Sequence, residues 1–268
     1  MEHYLHGYEH DEQIRLHRQN AVLAPLIYRG INLLSTSNLL EVGCGTGAQI
    51  LHLLNEYPNI HITGIDTSKE QLETCQEILC KNHISPKRYY LQWVNGKHFP
   101  YPDQSFDVVL FVWVLEHVKD PTILLQEAFR VLKPGGSLYI TEVYNDSFRC
   151  HPPEPDIMWF WTEMERFQSS IGGQGNVGIQ LANLVEQIPY KSLSTWAVPV
   201  FYDRSQPEAK CTMWQYWMEL MESASSQMIK HQVITKQQWE KVESALKRQK
   251  ECKTSVFFYN WIQAHITR

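Results

Sequence analysis

The chain has 268 residues, 24 of them basic and 29 acidic, a net charge of -5, and 43% hydrophobic residues. That length fits one large domain, or one domain with an elaborated cap, and the apolar share is enough for a core. The acidic balance argues against a dedicated nucleic-acid binder, no apolar run is long enough to cross a membrane, and the polar start at Met1 to Tyr4 is unlike a secretory signal. The six cysteines form no C-x-x-C pair and the twelve histidines show no zinc spacing. The expectation is therefore reduced thiols, a cytoplasmic setting and no metal site.

In chain order, residues 11–34 read as a helix. Ile14, Leu16, Val22, Leu23, Leu26, Ile27, Leu33 and Leu34 form a loose apolar stripe, Asp11 suits its cap, and Pro25 predicts a kink or a split. Leu39 to Val42 reads as a short buried strand running into the glycine-rich turn Gly43-Cys44-Gly45-Thr46-Gly47. A helix over 48–57 follows, with Ile50, Leu51, Leu53 and Leu54 apolar. Such a turn aims backbone N–H groups and a helix N-terminus at one point, a site for polar or anionic ligand groups. The second strand, Ile60 to Ile65, is closed by Asp66, at the spacing of an acid that grips a ribose. Gly43-x-Gly45-x-x-Ala48 also fits the looser dinucleotide fingerprint, so this stretch alone accommodates any adenosine-bearing ligand.

Ser68 and Gln71 suit a capping box for a helix that runs to about Lys81. Arg88 to Val94 is the third strand, followed by Asn95-Gly96. Phe106 to Trp113 is a nearly unbroken apolar run suited to the middle of a parallel sheet. Ligands of open α/β sheets bind outside the carboxyl ends of the strands. Phe111 is therefore expected to face the ligand, and Glu116 and His117 are the natural acid/base pair. Asp120-Pro121 starts a helix that ends at Lys133-Pro134-Gly135-Gly136, and Ser137 to Val143 is the fifth strand. This alternation predicts a doubly wound parallel sheet with right-handed crossovers.

The remainder is less regular. Residues 156–170 read as a helix holding Met158, Trp159, Phe160, Trp161, Met164 and Phe167; residues 176–187 read as another. Lys191 to Tyr202 is the sixth strand, and 207–230 is a helical insert rich in tryptophan and methionine. A helix over 235–250 carries a Thr235/Gln238 capping box, and Lys253 to Trp261 is the last strand. The aromatic stripes suit either helix faces packed on the sheet or the lining of an apolar pocket, with Trp159 and Tyr202 as candidate substrate contacts.

Together, Glu41-Val42-Gly43-Cys44-Gly45-Thr46-Gly47, Gly64-Ile65-Asp66, Phe99 to Asp107, Leu115-Glu116-His117 and Leu132 to Gly136 resemble class I S-adenosylmethionine-dependent methyltransferases. The similarity is greatest to small-molecule enzymes of the ubiquinone-biosynthesis type and covers residues 38–143. The opening Tyr4-Leu5-His6-Gly7-Tyr8 with Arg15-Leu16 also resembles a subgroup that includes the fungal gliotoxin thiol methyltransferases. The resemblance implies an α/β, seven-stranded, mostly parallel sheet with helices on both faces, its last strand antiparallel at the sheet edge. It implies a single domain, with 38–143 as cofactor core and 1–34, 150–175 and 205–250 as a helical cap. It implies S-adenosylmethionine as cofactor, held by Glu41, Gly43, Gly45, Gly47, Asp66, Asn95, Gly96 and Phe111, with Tyr4 and Arg15 closing over its methionine end. Asn95 stands where the family usually has an acid, and its amide oxygen can still accept a hydrogen bond. His117 is the candidate base, with His151, Glu142 and Tyr144 as alternatives.

The expected reaction is methyl transfer to a small, apolar or aromatic molecule through S, N or O. The expected partner is that substrate, with neither nucleic acid nor membrane, and the oligomeric state stays open. The rivals are an NAD(P)-dependent oxidoreductase and a non-catalytic partner subunit that binds the same cofactor.

Overall fold

The computed structural model describes residue 5, residues 10–95 and residues 97–268. Tyr4, Tyr8 and Gly96, and the side chain of Asp11, lie outside what is described. The element order is α1 (His10–Ile27), β1 (Asn38–Val42), α2 (Ala48–Glu56), β2 (His61–Asp66), α3 (Lys69–Lys81), β3 (Tyr89–Trp93), β4 (Phe106–Val112), α4 (Pro121–Val131) and β5 (Leu132–His151). It continues with α5 (Pro155–Ser170), α6 (Leu181–Leu184), β6 (Ser192–Tyr202), α7 (Pro207–Lys230), α8 (Lys236–Glu251) and β7 (Val256–Thr267).

The strands form one seven-stranded sheet in the order β3-β2-β1-β4-β5-β7-β6. Strands β1 to β5 pair in parallel, and β7 is antiparallel to both β5 and β6. From β1 the chain winds outward through β2 to β3, then returns to place β4 on the other side of β1. With right-handed crossovers, this reversal puts α2 and α3 on one face and α4 on the other. The central strands are apolar on both faces: Leu39, Leu40, Val109, Leu110, Leu138 and Ile140 are all buried. Each such side chain contributes about 1.5–3 kcal/mol of burial.

Local chemistry starts and stops several elements. Ser68 Oγ accepts from Gln71 N at α3, Asp120 Oδ1 from Thr122 N at α4, and Thr235 with Gln238 forms a complete capping box at α8. Elsewhere the structure corrects the sequence reading. The first helix ends at Ile27, not near residue 34, and Pro25 lies inside it without splitting it. The expected helix over 176–187 is a 3-10 turn, Val177–Gln180, and the four-residue α6. Gly178 presses so close to β5 that a Cβ would stand 2.6 Å from the Val143 carbonyl oxygen, leaving no room for a regular helix. The last strand lies between β5 and β6, and β6 forms the edge. Its buried residues Phe257, Tyr259, Trp261, Ala264 and Ile266 explain this interior place. No described helix is long and apolar enough to cross a membrane.

Candidate active site

The reversal between β1 and β4 opens a crevice at the carboxyl ends of these strands, the usual ligand position in such sheets. One wall is the glycine turn. Gly43 N and Cys44 N donate to the Ile65 carbonyl at 2.8 and 3.0 Å, tying the turn to β2. Gly45 has a φ of +50° and Gly47 one of +76°, a region that disfavours any side chain. At Gly47 an added Cβ would run into Cys75 Sγ, whereas at Gly45 it would meet nothing within 4 Å. The Gly45 backbone thus faces open space in the crevice.

Asp66, at the end of β2, closes this wall. Its Oδ2 accepts from Gly45 N and its Oδ1 from Ser68 N, each at 2.8 Å. Burial raises its pKa, while the backbone donors pull the other way. A carboxylate has about four lone-pair positions, so acceptor capacity remains on both oxygens. Behind the turn, Glu41 is 2% exposed and its Oε2 has no hydrogen-bond partner. Burial first, and the Asp66 carboxylate second, push its pKa up to about 8.

From the turn a single cavity extends across the sheet end, enclosing about 1210 Å³ with its open mouth. Leu5, Arg15, Leu16 and Gln19 line the cofactor half from the N-terminal side. Asn20 Nδ2 donates to the Ala48 carbonyl at 3.1 Å, which fastens α1 over the start of α2. Arg15 is 6% exposed and its Nη1 donates to Gln19 Oε1 at 2.6 Å.

The far half is lined by Trp113, Trp161, Tyr216, Trp217, Tyr259 and Trp261, with Asn145 and Gln168 between them. Trp113 has a φ of +54°, unusual for a bulky side chain and a mark of local strain. Its indole N–H and that of Trp217 find no acceptor among the described residues.

A polar cluster lies at the cavity wall. Glu142, fully buried on β5, accepts from Val114 N at 2.9 Å and Leu115 N at 2.6 Å through Oε1, and from Glu116 N at 3.3 Å through Oε2. Burial and then the Glu116 carboxylate push its pKa up, against the pull of these donors. Glu116 Oε2 accepts from Gln168 Nε2 at 2.7 Å, and its Oε1 lies 3.8 Å from His117 Nε2.

The cavity brings together Gly43, Gly45, Asp66, Arg15 and His117 among the residues singled out from the sequence. Glu41 and Gly47 lie behind the turn, outside the lining. Phe111 is fully buried and does not face the cavity; the next three residues, Val112 to Val114, form the wall instead, because successive strand side chains point to opposite faces. Asn95 is exposed after β3 and outside the lining. Trp159 is replaced by Trp161, since the buried stripe of α5 runs through Ile157, Phe160, Trp161, Met164 and Phe167. Tyr202, at the end of the edge strand β6, stands outside the lining. Among the alternative bases, His151 and Tyr144 are not in the lining, and Glu142 lies behind it. Tyr4 and Gly96 lie outside the described residues. Asn145, Gln168, Tyr259 and Trp261 escape the sequence reading. Only the pairing of β5 with β7 and the fold-back of α5 bring them to the crevice.

Residues 40–140 match the methyltransferase domain family. The matched stretch, from β1 into β5, is similar to a methyltransferase domain. The 27-O-demethylrifamycin SV methyltransferase of Amycolatopsis mediterranei is 32% identical over 133 residues, 50% of this chain and 48% of that protein. The chain spans about half the length of the curated relatives it matches. In fold it is similar to Haemonchus contortus phosphoethanolamine N-methyltransferase 2, solved with S-adenosyl-L-methionine, at a TM-score of 0.58 and 17% identity, covering 93% of this chain and 52% of that one. It is equally similar, at a TM-score of 0.58 and 21% identity, to the [4+2]-cyclase SpnF, covering 93% and 81%.

Proposed function

We propose that the protein transfers a methyl group from S-adenosylmethionine to a small apolar or aromatic molecule, in the cytoplasm and without nucleic acid or membrane. The observation that carries this reading is the one continuous cavity, with the glycine turn and Asp66 at one end and an aromatic lining at the other. The residues present fit the cofactor. Gly45 leaves the backbone open to a ligand, and Asp66 retains acceptor capacity for ribose hydroxyls. Arg15 supplies a buried guanidinium suited to a carboxylate.

When bound, the cofactor supplies a methyl group already activated on sulfur. The chain's own part is alignment and exclusion of water, and positioning alone can contribute roughly 7–11 kcal/mol. The backbone of the turn and Asp66 hold the adenosine end, and Arg15 holds the carboxylate end. The segment Val114 to Glu116, pinned by Glu142, fixes the wall beside the acceptor. His117 takes the acceptor's proton.

The cyclase neighbour shows that the fold alone does not define the reaction, so the test is chemical. Titration calorimetry with S-adenosylhomocysteine and with NAD, followed by incubation of a metabolite pool with methyl-labelled cofactor, is expected to give binding of the first alone and one labelled small product. Binding of the nicotinamide dinucleotide in its place revives an oxidoreductase. Binding without any labelled product favours a non-catalytic subunit. The burial of Met213, Trp214, Trp217 and Met221 on α7 supports the enzyme, since those side chains face inward and are not displayed for a partner.

A further inference from the structure

We propose that the methyl acceptor is an amine nitrogen, received as a cationic head group in the aromatic half of the cavity; this rests on the methyl-transfer reading above. The wall there is a set of rings fixed against one another. Trp161 and Trp217 stack at 5.0 Å and 22°, Trp217 and Tyr259 meet at 4.9 Å, Tyr259 and Trp261 at 5.5 Å, and Trp261 and Trp113 at 5.6 Å. All five side chains, and Tyr216 besides, line the same space. Ring faces carry the negative end of the aromatic quadrupole, and a desolvated cation gains most from them.

The fixed charge of this half has the matching sign. Glu116 lines the space, its side chain is 12% exposed, and Gln168 holds its carboxylate in place. Among the described lining residues the only guanidinium or ammonium group is Arg15, on the helix fastened over the glycine turn. An anionic head group placed among these rings would face Glu116 with no guanidinium or ammonium group of the described residues beside it. An alcohol could donate one hydrogen bond to the carboxylate but brings no charge to it or to the ring faces. Tyr259 does not compete for the same charge, because its hydroxyl donates to Asn145 Oδ1 at 2.7 Å.

The step balances without a further reagent. The ammonium first loses a proton to His117 Nε2, which uncovers the nitrogen lone pair. That pair forms the new N–C bond as the C–S bond of the donor breaks and its electrons remain on sulfur. The product leaves as a methylated ammonium, and His117 returns its proton to water.

The test compares three probes of one shape, 2-phenylethylamine, 2-phenylethanol and 3-phenylpropanoate, by calorimetry near neutral pH against full-length protein saturated with S-adenosylhomocysteine. The amine is expected to bind at least about tenfold more tightly than the alcohol, with the carboxylate weakest. Glu116→Gln is expected to reduce that preference to within about threefold while S-adenosylhomocysteine affinity stays unchanged. Equal or tighter binding of alcohol or carboxylate overturns the proposal, as does failure of the amine to bind at millimolar concentration, or a preference untouched by the variant. The wild-type comparison decides by itself should Glu116→Gln fail to fold. If S-adenosylhomocysteine does not bind wild-type protein, the methyl-transfer reading fails first; if it binds and the amine does not, the amine assignment alone fails.

Discussion

The carboxylate of Asp66 accepts a hydrogen bond from the backbone N–H of Gly45 at 2.8 Å, so the acid of β2 and the turn after β1 form one rigid unit. Asp66→Ala removes the acceptor for Gly45 and Ser68 and the proposed ribose contacts at once. Hydrogen bonds to a charged group are worth about 1.5–3 kcal/mol each. S-adenosylhomocysteine affinity is therefore expected to fall at least about tenfold. Calorimetry showing unchanged affinity in a folded variant removes Asp66 from the site.

Gly45 and Gly47 both have positive φ, yet alanine at the two positions is expected to fail differently. At Gly45 the new methyl meets open space, so the cost to folding is the left-handed backbone alone, about 1–2 kcal/mol. Cofactor binding is expected to be lost, since that methyl stands in the crevice. At Gly47 the methyl collides with Cys75 Sγ, and the thermal midpoint is expected to drop further than for Gly45→Ala. Equal midpoints, with binding intact in Gly45→Ala, count against the assignment.

The legible part of this chain is the part whose chemistry is local. Glycines at 43, 45 and 47, an acid closing β2, and caps at Asp120 and Thr235 each mark a turn or an element end by residue type alone, and the alternation of strands and helices carries the winding of the sheet. What cannot be read is set by contacts distant in sequence. The interior place of β7 depends on pairing with β5 and β6, which no local pattern records. Tyr259 and Trp261 reach the cavity only through that pairing. Phe111 and Trp159 lie outside the cavity lining for a related reason. An apolar run and an aromatic cluster do not state which side faces the crevice, and one or two residues' displacement changes the answer.

Stability is expected to depend on pH through Glu41. Its pKa is raised from an ordinary 4.5 to about 8, by burial and then by Asp66. Between those values the folded chain holds a proton that the unfolded chain has released. The stabilisation is thus complete below about pH 4.5 and lost as pH rises through about 8. Glu142 adds to the slope in the same direction. Glu41→Gln keeps the shape of the protonated acid and cannot ionise. Urea midpoints measured at about pH 5 and about pH 9 are expected to show the variant gaining on wild type at the higher value, by an amount on the order of a few kcal/mol. A variant whose curve runs parallel to wild type at both values excludes Glu41 as the source.

His117 is the last assignment that can be separated by kinetics. It lines the cavity with its Nε2 3.8 Å from the Glu116 carboxylate, and histidine is the side chain whose ordinary pKa suits proton transfer near neutrality. Asparagine at this position preserves much of the polar shape but cannot take a proton. If His117 is the base, kcat of His117→Asn falls by about a hundredfold or more, whereas KM for the acceptor changes little because the rings and Glu116 still receive the head group. A large rise in KM with kcat preserved instead makes His117 a shaping residue of the wall. In that case an amine acceptor sheds its proton to water before it reaches the rings.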